Sequence, residues 1–237
     1  MEIERRAVTL ADVPEAVCLE ERGDGRMVFR GLAAVFNSLS QDLGGFREVL
    51  LPGAFDAVLA RRQDGPGRPS AAAKRSGDCI ACWNHDPGAL LGRTSSGTLR
   101  LSADEVGLRF EIDPPDTQLA RDLVSLTRRN DVFGASFAFT VDPADEVYEQ
   151  TDAGALRTIR AVSGLFDISL VTNPAYMGTV ASVRSYEAWR AAAASAEPVY
   201  KIPPEELRAA WRMVRARAVA ARAAAEVTRS AALLRRG

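Results

Sequence analysis

The alternation of apolar and polar positions, and the places where it breaks, divides the chain into many short elements. Met27 to Phe36 (MVFRGLAAVF) concentrates strand-forming residues, and Phe46 to Leu51 makes a second extended run that Pro52-Gly53 ends. Past that turn, Phe55, Val58 and Leu59 recur at helical spacing within Ala54 to Arg62. Gln63 to Asp78 then gives way to Gly, Pro, Ser, Ala and charge, the composition of a flexible surface loop. Ile80 to Asn84 predicts a strand with His85 at its end, followed by a turn at Asp86-Pro87-Gly88.

Thr98 to Ser102 and Leu108 to Ile112 read as a hairpin that Pro114-Pro115 closes off. Leu119, Leu123 and Leu126 then mark a helix behind a capping residue, Asp116 or Thr117, with Asn130-Asp131 as its stop. Phe133 to Val141, Glu146 to Glu149, Leu156 to Val162 and Leu165 to Val171 add further strands. Many short strands with one or two helices between them, and no βαβ alternation, predict an α+β, mainly β fold. The expected form is a compact β-barrel or strongly curved sheet with packed helices and a C-terminal helical tail. The predicted organisation is one domain over residues 1–187, with its motif core at about 27–183. A linker and an Ala/Arg-rich helical tail follow over 188–237, the helix starting at Pro203-Pro204-Glu205-Glu206.

A length of 237 residues at 47% hydrophobic composition is enough to bury a substantial core. No apolar run approaches the roughly 20 residues of a membrane-spanning helix. Met1-Glu-Ile-Glu-Arg-Arg lacks the layout of a secretory signal, so an intracellular site of synthesis is expected. Cys18, Cys79 and Cys82 are too few for a disulfide framework, in keeping with a reducing compartment. The net charge of -1 conceals an asymmetry: residues 203–237 hold eight Arg against three Glu, or +5, which leaves -6 for the rest.

His85 is the only histidine, so any mechanism that uses an imidazole near neutral pH must use it. Its alternative is a histidine with a structural hydrogen bond. In Phe133-Gly-Ala-Ser-Phe-Ala-Phe-Thr-Val141, strand geometry puts Phe133, Ala135, Phe137, Phe139 and Val141 on one face. Gly134, Ser136, Ala138 and Thr140 share the other. Such a face could admit an extended peptide, or could simply let a neighbouring element pack closely. Leu165 to Val171 repeats the design, with Phe166, Ile168 and Leu170 opposite Asp167 and Ser169. If the two strands are neighbours, Ser136, His85 and Asp167 converge as nucleophile, base and orienting carboxylate, with Ser169 as the competing nucleophile. Amides beside the serine would have to stabilise the oxyanion.

Two other readings use different residues. Cys79-Ile-Ala-Cys82-Trp-Asn-His85 can be written as a zinc motif, but it supplies three ligands and needs Cys18 or Asp86 to complete a tetrahedral site. The plainer reading makes both cysteines small, partly buried residues. The basic tail could contact phosphates, yet it has no interleaved aromatics and no recognisable nucleic-acid module. Nucleic acid is therefore not an expected partner. No Walker loop or dinucleotide fingerprint points to a nucleotide, and no cofactor is expected.

Phe29-Arg-Gly-Leu-Ala-Ala-Val-Phe36, Leu51-Pro-Gly-Ala-Phe55, Trp83-Asn-His-Asp86, Ala103-Asp-Glu-Val-Gly-Leu108, Gly134-Ala-Ser-Phe137 and Leu165-Phe-Asp-Ile-Ser-Leu-Val-Thr-Asn-Pro-Ala-Tyr176 together resemble the phage prohead (capsid maturation) protease family. The resemblance covers roughly residues 27–183. It implies a fold related to herpesvirus capsid proteases and a serine-histidine mechanism with His85 as base and Ser136 as nucleophile. The family's pattern at Asp167 is more often Glu-Ile-Ser, so the carboxylate is shortened here. The implied substrates are the major capsid protein and the scaffolding protein, with self-cleavage and self-association as companions. The implied setting is the assembling prohead in the host cytoplasm. A catalytically silent assembly factor is the alternative within the same resemblance.

Overall fold

A computed structural model describes residues 3–9, 16–61, 78–132, 134–172 and 186–191. The expected loop over 63–77, Phe133, the Asn173 to Tyr176 part of the last motif and the C-terminal helical tail lie outside the described residues. Twelve strands are described: β1 (Glu4–Thr9), β2 (Cys18–Glu21), β3 (Met27–Val35), β4 (Phe46–Leu50), β5 (Ile80–Trp83), β6 (Asp86–Arg93), β7 (Leu99–Ala103), β8 (Gly107–Ile112), β9 (Gly134–Thr140), β10 (Glu146–Thr151), β11 (Gly154–Ile159) and β12 (Gly164–Val171). The helices are α1 (Asp56–Ala60), α2 (Gln118–Arg128) and a short segment at 186–191. The fold is α+β and mainly β. No described helix is long and apolar enough to cross a membrane.

The strands form a five-stranded sheet in the order β1-β9-β12-β5-β6, a four-stranded sheet β2-β3-β8-β7 and a three-stranded sheet β10-β11-β4. Among the described residues these are open sheets, and no closed barrel is present. The expected barrel is therefore replaced by separate sheets. Apolar residues of the two larger sheets share one core: Phe29, Leu108, Phe110 and Ile112 from one, Phe137, Phe139, Ile168 and Leu170 from the other. Phe55 reaches the same core, its ring edge-on to Phe137 at 5.7 Å, and Phe137 stacks on Phe139 at 4.8 Å. The i, i+2 spacing of these two rings is the strand period written in aromatic residues.

The helix at Gln118–Arg128 begins where its sequence predicts. Thr117 is its N-cap, and its side-chain oxygen accepts from Ala120 N at 3.3 Å. Asn130, at φ 61, supplies the left-handed residue after its end. Glycine is required at two close approaches. A Cβ on Gly31 would sit 2.1 Å from the Ala16 carbonyl oxygen, and one on Gly107 would sit 2.0 Å from that of Ala34.

Three strands, β1, β2 and β6, lie outside the sequence expectation, and β1 borders the strand that carries Ser136. It is held by a buried ion network. Arg6 bonds Glu48 (2.8 and 2.7 Å) and Glu4 (2.9 Å), and Arg157 on β11 bonds Glu4 (2.6 and 2.8 Å), Glu48 (2.7 Å) and Glu146. The network ties the five-stranded sheet to the three-stranded one. Burial alone would raise the Glu48 carboxyl, but the guanidinium groups of Arg6 and Arg157 overrule it and hold the carboxyl below its ordinary range.

Candidate active site

The site begins with a two-residue hairpin. Trp83 pairs with Asp86, and the intervening Asn84 and His85 both take left-handed backbone angles, φ 51 and φ 59. Two-residue hairpins of type I′ need positive φ at both loop positions, and asparagine and histidine are among the side chains that tolerate it best. The turn is therefore at Asn84-His85, not at Asp86-Pro87-Gly88 as the sequence suggests. The latter residues open β6, an edge strand, where the missing amide of Pro87 costs little. Asn84 N donates to Leu170 O at 3.1 Å, anchoring the turn to β12.

β9 lies between β1 and β12, with Ser136 opposite Ala7 on one side and Ser169 on the other. Ser169 in turn faces Cys82 on β5. Directly opposed residues point to one face, so Ser136, Ser169 and Cys82 form a row across the sheet. The His85 ring reaches back over this row. Its Nε2 is 2.7 Å from Ser136 Oγ, and its Nδ1 is 2.7 Å from Asp167 Oδ1. The three residues expected to converge are thus hydrogen-bonded in the order serine, histidine, carboxylate. Ser136 is 4% exposed and Asp167 8% exposed, so the chain of bonds is largely shielded from water.

Ser169 lies on the other side of the imidazole. It is fully buried, donates to Asp167 Oδ1 at 2.9 Å and accepts from the His85 amide at 3.1 Å. Its contact with the ring is on Nδ1, at 3.3 Å, while Nε2 is met by Ser136 Oγ. Phe166 also departs from the sequence pattern. The pairing skips from Leu165 to Asp167, leaving Phe166 as the extra residue of a β-bulge and 40% exposed instead of facing the core.

One partner of Ser136 lay beyond sequence reasoning. Its Oγ is 2.8 Å from the backbone carbonyl oxygen of Arg6. The hydroxyl has a single proton, and His85 Nε2 and Arg6 O are two acceptors for it. β9 is an interior strand, so the amides flanking Ser136 face ladder partners on β1 and β12.

The cysteines are dispersed around this arrangement. Cys82 Sγ is 3.0 Å from Ser169 Oγ, and its thiol is pushed up to about 11, first of all by burial. Cys79 is buried near Thr94, whose Oγ1 accepts from the Cys79 amide. Among the described residues, no three His, Cys, Asp or Glu side chains are grouped so as to hold a metal ion.

No curated protein sequence matches the chain. Among solved structures, it is similar to the bacteriophage T4 capsid assembly protease gp21, at 7% identity and a TM-score of 0.46, over 73% of this chain and 98% of that one. The caudovirus prohead serine proteases match residues 15–191 of the 237. With a match of that extent, the chain belongs to the caudovirus prohead serine protease family, and it is a serine protease that acts in phage capsid maturation.

Proposed function

We propose that this protease cleaves the scaffolding protein, the major capsid protein or both inside the assembling prohead, and that it also cleaves itself. Ser136 is the nucleophile, His85 the general base and Asp167 the orienting carboxylate. The observation that carries the reading is the unbroken pair of 2.7 Å contacts through the one imidazole, to Ser136 Oγ on Nε2 and to Asp167 Oδ1 on Nδ1. An ionised carboxylate can only accept, so it selects the tautomer with the proton on Nδ1 and leaves Nε2 bare to act as base.

In the reaction, Ser136 Oγ attacks the scissile carbonyl carbon as its proton passes to Nε2. The imidazolium is balanced by Asp167 and then gives that proton to the departing amine. A water, deprotonated by the same nitrogen, releases the acyl group and regenerates the serine. In this proposal residues 1–187 form the catalytic domain. Residues 188–237 dock the enzyme on scaffold or capsid protein, or are removed by cleavage.

Coexpression with the capsid and scaffolding proteins of the same phage genome tests the assignment. Ser136→Ala and His85→Ala should each abolish specific cleavage, and Asp167→Ala should slow it by about 10⁴-fold. Continued cleavage at the same bonds by the Ser136 or His85 variant would remove that residue from the mechanism.

A further inference from the structure

We propose that Ser169 is a positioning residue of the protease, locking the Asp167 carboxylate and the His85 main chain at a fixed spacing so that the proton stays on Nδ1. This rests on the assignment of Ser136, His85 and Asp167 given above.

The hydroxyl of Ser169 has one proton and two lone pairs, and each has a partner. The proton goes to Asp167 Oδ1 at 2.9 Å, since a carboxylate can only accept. One lone pair takes the His85 amide at 3.1 Å. The other faces Cys82 Sγ at 3.0 Å, and a buried thiol that keeps its proton is a donor. With no exposed surface on Ser169, water has no access to replace any of these bonds.

Two of the three bonds lead to the catalytic imidazole by separate routes. Asp167 Oδ1 accepts from both Ser169 Oγ and His85 Nδ1, so the serine fixes the oxygen that fixes the ring. The His85 amide belongs to the left-handed turn, so the same hydroxyl also holds the backbone from which the ring projects. Ser169 Oγ lies 3.3 Å from Nδ1 itself. A carboxylate displaced from its place would leave the hydroxyl free to donate to Nδ1, which would stabilise the opposite tautomer and remove the base from Ser136. The motif Asp167-Ile-Ser169 thus places the carboxylate and its holder on one strand face, two residues apart.

Full-length protein labelled with ¹⁵N-histidine provides a direct readout, because the chain has one histidine. At alkaline pH the wild type should show a protonated Nδ1 and an unprotonated Nε2. A fluorophosphonate probe reports in parallel the rate at which Ser136 Oγ displaces fluoride from phosphorus. Ser169→Ala should give averaged nitrogen resonances and slow phosphonylation by about 10- to 100-fold. Under reducing conditions Ser169→Cys, which keeps the packing and weakens the donor, should show the same change in the same direction. Asp167→Ala/Ser169→Ala should lose less than the product of the two single losses, since one of the two routes from the serine runs through that carboxylate.

Wild-type tautomer and rate in folded Ser169→Ala or Ser169→Cys would overturn the proposal. So would a double variant whose loss is the product of the two single losses. Probe attachment in the wild type at a residue other than Ser136 would instead overturn the nucleophile assignment, whatever the tautomer in the Ser169 variants.

Discussion

Arg157 Nη1 lies 2.7 Å from Glu48 Oε2, with the two side chains only 1% and 3% exposed, so strands β11 and β4 are joined by an ion pair almost without water. Arg157 also meets Glu4 and Glu146, and Arg6 meets Glu4 and Glu48, giving three carboxylates against two guanidinium groups. Removing one partner from a buried set leaves charge uncompensated at a cost of about 3–5 kcal/mol. Arg157→Met should therefore lower the unfolding free energy by about that amount, read from urea denaturation. Arg6 extends the consequence to the site, since its side chain is in the network while its carbonyl accepts from Ser136. The variant should lose activity at temperatures where the wild type remains folded.

The same network fixes the acid limit. The folded-state pKa of Glu48 is depressed, so its contribution to stability is complete above its unfolded value, near 4.5. It is lost as pH falls from there through the folded value. The urea midpoint should hold steady from pH 7 to 5 and fall below pH 4.5. Glu48→Gln should start lower at pH 7 and show a flatter acid limb. Because the group is enclosed, 1 M salt should change the difference between the two proteins little.

The sequence makes one part of this site plain and hides another for reasons of distance. The single histidine, the small-residue face around Ser136 and the carboxylate at Asp167 all follow from identity and strand period. β1 escapes notice because ERRAVT carries Glu4 and Arg6 at positions that a hydrophobic pattern leaves outside, whereas both are buried by partners up to 153 residues away. Arg6 O as a partner of Ser136 is hidden with it. Phe166 is misplaced because a bulge adds one residue to a strand without marking the sequence, shifting the phase of everything before it. The Asn84-His85 turn lacks the usual glycine, so Pro87-Gly88 carries the stronger turn signal three residues further on.

Thiol chemistry should separate the cysteines. At pH 8 a thiol pushed up to about 11 is ionised in only about one molecule in a thousand, and Cys82 is buried as well. Cys79 is also buried, while Cys18 is exposed. Iodoacetamide should therefore modify Cys18 rapidly in the native protein and reach Cys79 and Cys82 only after unfolding, as counted by mass spectrometry. Rapid modification of Cys82 in native protein would mean that the row behind His85 opens to solvent.

The left-handed turn offers a way to move His85 without touching a catalytic atom. Asn84 has φ 51, a region that asparagine and glycine adopt readily and that a β-branched side chain resists by about 1–2 kcal/mol. Asn84→Gly satisfies the same backbone and should leave the melting temperature and cleavage rate close to wild type. Asn84→Val should lose about that stability, and the more telling effect should be kinetic. Relief of the strain rotates the peptide that bears the His85 amide away from Ser169, and with it the ring that spans Ser136 and Asp167. Catalytic geometry tolerates little displacement, so cleavage by Asn84→Val should fall about 100-fold. Comparing the two variants at a temperature where both are fully folded separates this effect from lost stability, and equal rates for the two would show that the turn does not set the position of the base.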